Sequence, residues 1–279
     1  MIQTVLKGWS VSRTCKKFKR SRQSYYKACM RKEKQGVDHM KLLNLVMPVR
    51  RLMPRLGGRK LHFLLQDELD DHALKIGRDR FFEWLRANDL LIFPKRRYTR
   101  TTNSSHRFWV YDNLSAELTV DRPNRLWVSD ITYLKTREGF CYLALITDAY
   151  SRKIVGYDVS DSLELSGCLR ALKSALSKTH DTSQLIHHSD RGFQYCSNIY
   201  TKILKDKGIR ISMAAKGNCY ENALAERVNG ILKGEFNLDE VFNTKQQAIK
   251  AVRQSIDIYN RYRPHWSLNL KTPQFCHAA

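Results

Sequence analysis

No stretch of this chain approaches the roughly 18 uncharged apolar residues that a membrane-spanning helix needs, and the opening Met1-Ile2-Gln3-Thr4-Val5-Leu6-Lys7 lacks the apolar core of a secretory signal. No membrane partner is expected. Paired cysteines are missing as well: Cys15, Cys29, Cys141, Cys168, Cys196, Cys219 and Cys276 are odd in number and scattered, without a CxxC or Cys/His ligand spacing. That excludes a disulfide framework and a zinc knuckle and fits reduced thiols in a cytosolic protein. A sustained heptad, an internal repeat and a low-complexity block are also lacking. The scarcest commodity is negative charge. Only 27 Asp and Glu face 49 Lys and Arg, and a net charge of +22 points to a polyanionic partner.

The excess is uneven. Residues 1–110 carry 26 basic and 9 acidic side chains, whereas residues 111–279 carry 23 and 18. The amino-terminal part is the electrostatic grip and the remainder an enzyme domain of moderate charge. At 279 residues with 42% apolar side chains, the chain has length for about two domains of roughly 150 residues. The expected division is a helical, helix-turn-helix-like DNA-binding region over 1–93, a basic linker over 94–119 and an α/β catalytic core with a C-terminal helix over 120–279.

Between Ser10 and Met30 the pattern is short helix, polar break, short helix, with Val11, Cys15 and Phe18 on one face and Tyr25, Ala28 and Cys29 after the break. A helix-turn-helix and an ordinary solvated basic helix pair both fit. Leu61, Leu64, Leu65 and Leu69 form an apolar face, and a helix over about Arg78–Asn88 turns Phe81, Phe82 and Leu85 inward. From Pro94 to His106 the composition is that of a solvated connection. Its Lys95, Arg96, Arg97 and Arg100 either follow a DNA backbone or only keep the linker soluble.

After about Val120 the periodicity predicts strands at 125–134, 139–147 and 154–159 in an antiparallel meander, then a helix over 164–178. A strand at 185–188, a helix at 197–207, a strand at 209–213, a helix at 221–236 and a last helix at 244–262 complete a mixed five-stranded sheet with flanking helices.

Three acids stand out. Asp130 lies in the middle of the first strand, where an acid is costly to bury unless a cation or donor meets it. Asp190 ends the fourth strand, and Glu226 follows on a helix, with 35 residues between the two acids. Phosphodiester chemistry needs an activated oxygen nucleophile and a neutralised leaving oxygen, which two divalent ions about 4 Å apart supply. Mg²⁺ takes oxygen ligands and keeps several waters, so two or three carboxylates with the substrate phosphate suffice. Taken singly, each acid has a structural explanation, as a turn initiator, a solvated helix charge or a salt-bridge partner. Asn222, Glu226 and Lys233 share one helix face with Asn229 or Gly230, which makes Asn222 and Lys233 candidates for contact with the site or with DNA. His188 is expected beside the ligands and His187 in a structural role, because imidazole suits Mg²⁺ poorly. Tyr259, Asn260, Arg263 and His265 either touch DNA behind the site or cap and pack the final helix.

Four ordered motifs carry a family resemblance: Trp127-x-x-Asp130-Ile131-Thr132-Tyr133, His188-Ser189-Asp190-x-Gly192-x-Gln194-Tyr195, Gly217-Asn218-Cys219-Tyr220-x-Asn222-Ala223-x-x-Glu226, and Tyr259-Asn260-x-x-Arg263-Pro264-His265 followed by Thr272-Pro273. Together they resemble the second-frame (OrfB-type) transposases of the IS-three group, DDE transposases similar to retroviral integrases. Glu221, where Asp is usual, and Arg227 and Trp266, in place of smaller residues, depart from the pattern beside the motifs.

The resemblance implies an RNase H-like core in which Asp130, Asp190 and Glu226 hold two Mg²⁺ ions, with Mn²⁺ a possible substitute. Water and then a freed 3′ hydroxyl would act as nucleophiles. It implies a bacterial, cytoplasmic, nucleoid-associated transposase acting on the inverted-repeat ends of its own insertion sequence and on target DNA. A homo-multimer is expected, with an upstream-frame protein or frameshift fusion supplying further DNA binding. The rival readings are a nuclease of the same fold that does not join strands and a non-catalytic DNA-binding regulator.

Overall fold

The computed structural model describes residues 9–93, 108–179, 181–215 and 222–279. Two helices open the described part of the chain, α1 (Val11–Lys17) and α2 (Arg22–Leu52), each started by a serine, Ser10 or Ser21, whose side chain accepts a backbone N–H of the first turn. The expected short second helix is corrected here: α2 runs 31 residues, to Leu52. Its first half has little apolar periodicity, but Leu42 and Val46 are buried in the second half, so tertiary packing carries it onward.

The expected Leu61–Leu69 face is split between α3 (Gly58–Leu64) and α4 (Gln66–Asp71), and α5 spans Arg78–Ala87. Leu61, Leu65, Leu69, Phe81 and Leu85 are buried together. The buried Arg50 guanidinium staples this unit by donating to the carbonyls of Leu56 (2.6 Å) and Leu90 (3.0 Å).

The α/β part is built on β1 (Leu126–Thr136), β2 (Gly139–Asp148), β3 (Ile154–Ser160), β4 (Ile186–Ser189), β5 (Arg210–Met213) and β6 (Val241–Phe242). The sheet order is β3-β2-β1-β4-β5, with β6 pairing β1. Five strands follow the expected order; the two-residue β6 makes the sheet six-stranded among the described residues. The β1–β2–β3 meander is antiparallel and β1–β4–β5 is parallel.

Helices α6 (Leu165–Leu176), α7 (Phe193–Cys196) and α8 (Asn198–Asp206) bury their apolar faces with Trp127, Ala144, Ile146 and Val155. The buried residues of α6 include Gly167, Ala171 and Ala175, small enough for close approach: a Cβ on Gly156 of β3 would stand 2.8 Å from Ala175 Cβ. On the other face lie α9 (Ala223–Glu235) and α10 (Lys245–Arg261), followed by α11 (Pro273–Ala278). Val228, Leu232, Val252, Ile256 and Tyr259 there join Leu134 and Leu143 of the sheet and Val46, Leu56 and Leu61 of the helical unit in one apolar cluster.

The described part of the expected linker, 108–119, lies against the sheet. Leu114 N–H donates to Ser212 Oγ at 2.8 Å, Val110 and Tyr111 pack beside α8, and Leu118 joins Leu126 and Val128. Its apolar run, Phe108–Tyr111, is only four residues long, too short to mark an element in the sequence. Lys95, Arg96, Arg97 and Arg100 lie outside the described residues, as do Gly217–Glu221 of the third motif.

Candidate active site

Parallel pairing of β1 and β4 sets Ser129 opposite Ser189. Asp130 is the next residue on β1 and Asp190 the first residue past β4, so the pairing brings the two acids near each other, close enough for the charge of Asp190 to act on Asp130. Asp130 is half-buried, on the sheet face that α9 covers. Asp190 Oδ1 accepts the Gly192 N–H at 3.0 Å. A Cβ on Gly192 would meet Asp190 Oδ1 at 3.0 Å and Gln194 Oε1 at 3.2 Å, so a side chain there crowds the acid. The loop is fixed on both sides, by Arg191 Nε donating to Ala214 O (2.7 Å) and Gln194 Nε2 to Leu163 O (2.7 Å).

Helix α9 meets β1 through two asparagines seven residues apart, two turns along one helix face. Asn222 Nδ2 donates to Ser129 O at 3.2 Å, and Asn229 Nδ2 donates to Asp130 Oδ2 at 2.7 Å. Both are buried, although Asn222 stands at the N-cap without capping the helix. Glu226, on the first turn between them, is exposed. Asn229, which the sequence places on this face but does not single out, is the residue that reaches Asp130; its i+3 spacing from Glu226 and i+7 spacing from Asn222 are the signal for it. Lys233, two turns past Glu226, is half-buried.

Burial pushes the Asp130 carboxyl up to about 7, aided by the Asp190 carboxylate and, least, by Glu226, while the Asn229 and Ile131 donors pull the other way. The native protein therefore keeps a proton that an unfolded chain releases near the usual 3.8. Because the native state binds more protons, stability falls as pH rises from about 4 to 7 and is level above. We expect the melting temperature of cation-free protein to decline over that window, and Asp130→Asn to flatten the decline. Asn229→Ala should raise the Asp130 titration midpoint further, as the lost donor favours the charged form. Carboxyl NMR titration reads this directly, and a fall in midpoint would contradict the contact.

The donor set suits a hard divalent cation. It consists of carboxylate oxygens, one of them pushed up to about 7 by burial and a like charge, which a cation would relieve. Among the described residues, no three His, Cys, Asp or Glu side chains stand close enough together to hold a metal ion. Asp130 and Asp190 thus follow directly on paired residues of β1 and β4, and Glu226 is exposed on the first turn of α9.

His188 is buried, with Nδ1 2.8 Å from Ser212 Oγ and 3.3 Å from Ser115 Oγ, tying β4 to β5 and to the segment before the core. His187 points to the opposite face, where its Nε2 meets Ser129 Oγ (2.7 Å) and Tyr200 Oη (3.0 Å). Burial, reinforced by His188, pushes His187 down to about 3 and keeps it neutral.

The fourth motif is engaged inside the fold. Asn260 clamps β3, accepting from Ile154 N–H and donating to Ile154 O, each at 3.0 Å. Tyr259 Oη donates to Arg152 O at 3.0 Å, and its ring meets His265 edge-on at 5.0 Å. Arg263, 1% exposed, donates twice to Glu235 of α9, at 2.7 and 2.6 Å. Burial, with Arg263 next in effect, pushes His265 down to about 2. These contacts are made within the protein, and through them the motif clasps α9, α10 and β3 together.

With an antiparallel β1–β2–β3 meander continued by parallel β4 and β5 and helices on both faces, the architecture is that of an RNase H-like catalytic core. The sequence matches the Integrase core domain family over residues 120–219 and, through a second model with that description, over 207–273. The chain is 38% identical to the uncharacterized 31 kDa protein of insertion element IS600 from Shigella sonnei, across 93% of this chain and 95% of that protein. It is 31% identical to the transposase InsF of insertion sequence IS3fB from Escherichia coli (strain K12), across 96% and 94%. The HTLV-2 integrase catalytic core domain, solved in complex with magnesium, is similar at a TM-score of 0.45 and 20% identity, over 56% of this chain and 97% of that domain. The chain belongs to the IS3 family of DDE transposases. No helix among the described residues is long and apolar enough to cross a membrane.

Proposed function

We propose that this transposase cuts and joins DNA at the inverted-repeat ends of its insertion sequence with Asp130, Asp190 and Glu226 as its catalytic acids. The observation that carries the reading is the β1–β4 register, which brings Asp130 and Asp190 near each other while Asn229 of α9 holds Asp130. Divalent cations, Mg²⁺ or Mn²⁺, would be held by the two aspartates, with the exposed Glu226 free to turn toward them. Bound there, they supply charge neutralisation at the scissile phosphate and an activated oxygen nucleophile.

The protein's own part is positional. Asn229 fixes one oxygen of Asp130, the Gly192 N–H fixes one of Asp190, and Asn222 pins the start of α9, the helix that carries Glu226. No covalent enzyme intermediate is required: water opens the strand, and the resulting 3′ hydroxyl attacks a second phosphodiester. Two ends must meet for joining, so the working form is a multimer on DNA. An upstream-frame protein or frameshift fusion supplies further end recognition.

The test is a strand-transfer assay with labelled DNA carrying the element's terminal inverted repeat, in Mg²⁺ or Mn²⁺, for this chain and for the fusion. Joined products are expected. Hydrolysed ends that never join, with both proteins, would instead identify a nuclease.

A further inference from the structure

A second basic surface lies on the far edge of the sheet. β3 is an edge strand, and a groove of about 790 Å³ runs between it and α10. One wall is a stripe of α10, Lys250, Arg253, Asp257 and Arg261, and the other carries Lys153 and Lys178. The stripe residues recur at spacings of three and four, so they share a helix face about 16 Å long at roughly 1.5 Å per residue. The single carboxylate among these six, Asp257, is paired with Arg261 at 2.9 Å. Lys153 is held below the usual lysine range first by burial and next by the charge of Lys178, so cations crowd the groove from both walls.

Given the DNA-joining activity proposed above, we propose that the β3–α10 groove is a second DNA-binding surface, which takes the phosphate backbone of a duplex segment outside the acid site. Its length matches about five steps of one strand, at roughly 3.4 Å per step. Tyr157, lining the groove, pairs with Leu145, which pairs with Asp130. The groove is therefore two strands, or about 10 Å, from the acids across the sheet. A second copy of the chain is the less suitable occupant, because a two-fold interface would set this cation-rich face against itself.

The test is duplex binding by the full chain, followed by fluorescence anisotropy between 50 and 200 mM salt, for wild type and for K178Q/K250Q/R253Q. These three side chains are exposed, and thermal melting checks that the variant is folded. The slope of log affinity against log salt should shrink by about 2 to 3, at roughly 0.9 for each phosphate no longer neutralised, whereas K178R/K250R/R253K should keep the wild-type slope. An unchanged slope in the triple Gln variant overturns the groove, and if light scattering shows a changed mass with it, the face is an interface between copies. Wild type that joins DNA while the Gln variant keeps its slope sinks the groove alone; wild type that binds no duplex sinks the DNA-joining reading as well.

Discussion

Asp190→Asn and Asp130→Asn should each lower strand transfer on the order of a thousandfold or more while leaving DNA binding in place. Neutralising charge at the scissile phosphate is worth several kcal/mol, and each ~1.4 kcal/mol is a factor of ten in rate. The three acids are distinguishable by a second readout. Asp190 is the largest charge acting on Asp130 and Glu226 the smallest contributor, so Asp190→Asn should bring the Asp130 titration clearly down from about 7, and Glu226→Gln should hardly move it. Glu226→Gln should nonetheless abolish joining. Full strand transfer by that variant would remove Glu226 from the reaction, and full activity of Asp190→Asn would remove the acid site itself.

The second large effect concerns stability. Glu235 stands on α9 nine residues after Glu226 and gathers Arg263 (2.6 Å), Lys60 Nζ (3.7 Å) and, through its backbone carbonyl, the Arg55 N–H (3.0 Å). Arg263 and Lys60 are both buried. Glu235→Ala would leave two buried cations without their carboxylate, and breaking a buried pair from one side costs about 3–5 kcal/mol. For a chain of this size that lowers the melting temperature on the order of 10 °C. Arg263→Met should cost less, because Lys60 still answers Glu235. Equal losses from the two variants, in a urea or thermal melt, would mean that the cluster is not charge-balanced as described.

The strands and helices of the catalytic core were legible in the sequence because Leu165–Leu176 and Lys245–Arg261 each hold a helical apolar period and Trp127–Tyr133 is rich in aromatic and β-branched residues. The acids were legible as a set, since each alone has a structural explanation but their order on strand, strand end and helix points to one site. Their adjacency was not, because it depends on a parallel pairing between strands some 60 residues apart that no local signal encodes. The length of α2 was hidden for a related reason: its first half has no apolar stripe, and the buried half is stabilised by residues far along the chain. Tyr259, Asn260, Arg263 and His265 invited a DNA reading because polar residues near a site are ordinarily exposed. Only the tertiary contacts to Glu235, Ile154 and Arg152 show the bonds that Arg263, Asn260 and Tyr259 make within the protein.

The apolar cluster shared by the helical unit and the sheet also bears on how the molecule can be divided. Val46, Met53, Leu56 and Leu61 close over Leu134, Leu143, Val228 and Leu232, so residues 120–279 produced by themselves would present bare hydrocarbon where those helices belong. Produced as two polypeptides, 1–93 and 108–279, the halves carry matching surfaces and a matching set of charges, Arg55 and Lys60 on one and Glu235 on the other. Such halves should behave as split-protein fragments that find each other, with the acids on one piece and their scaffold completed by its complement.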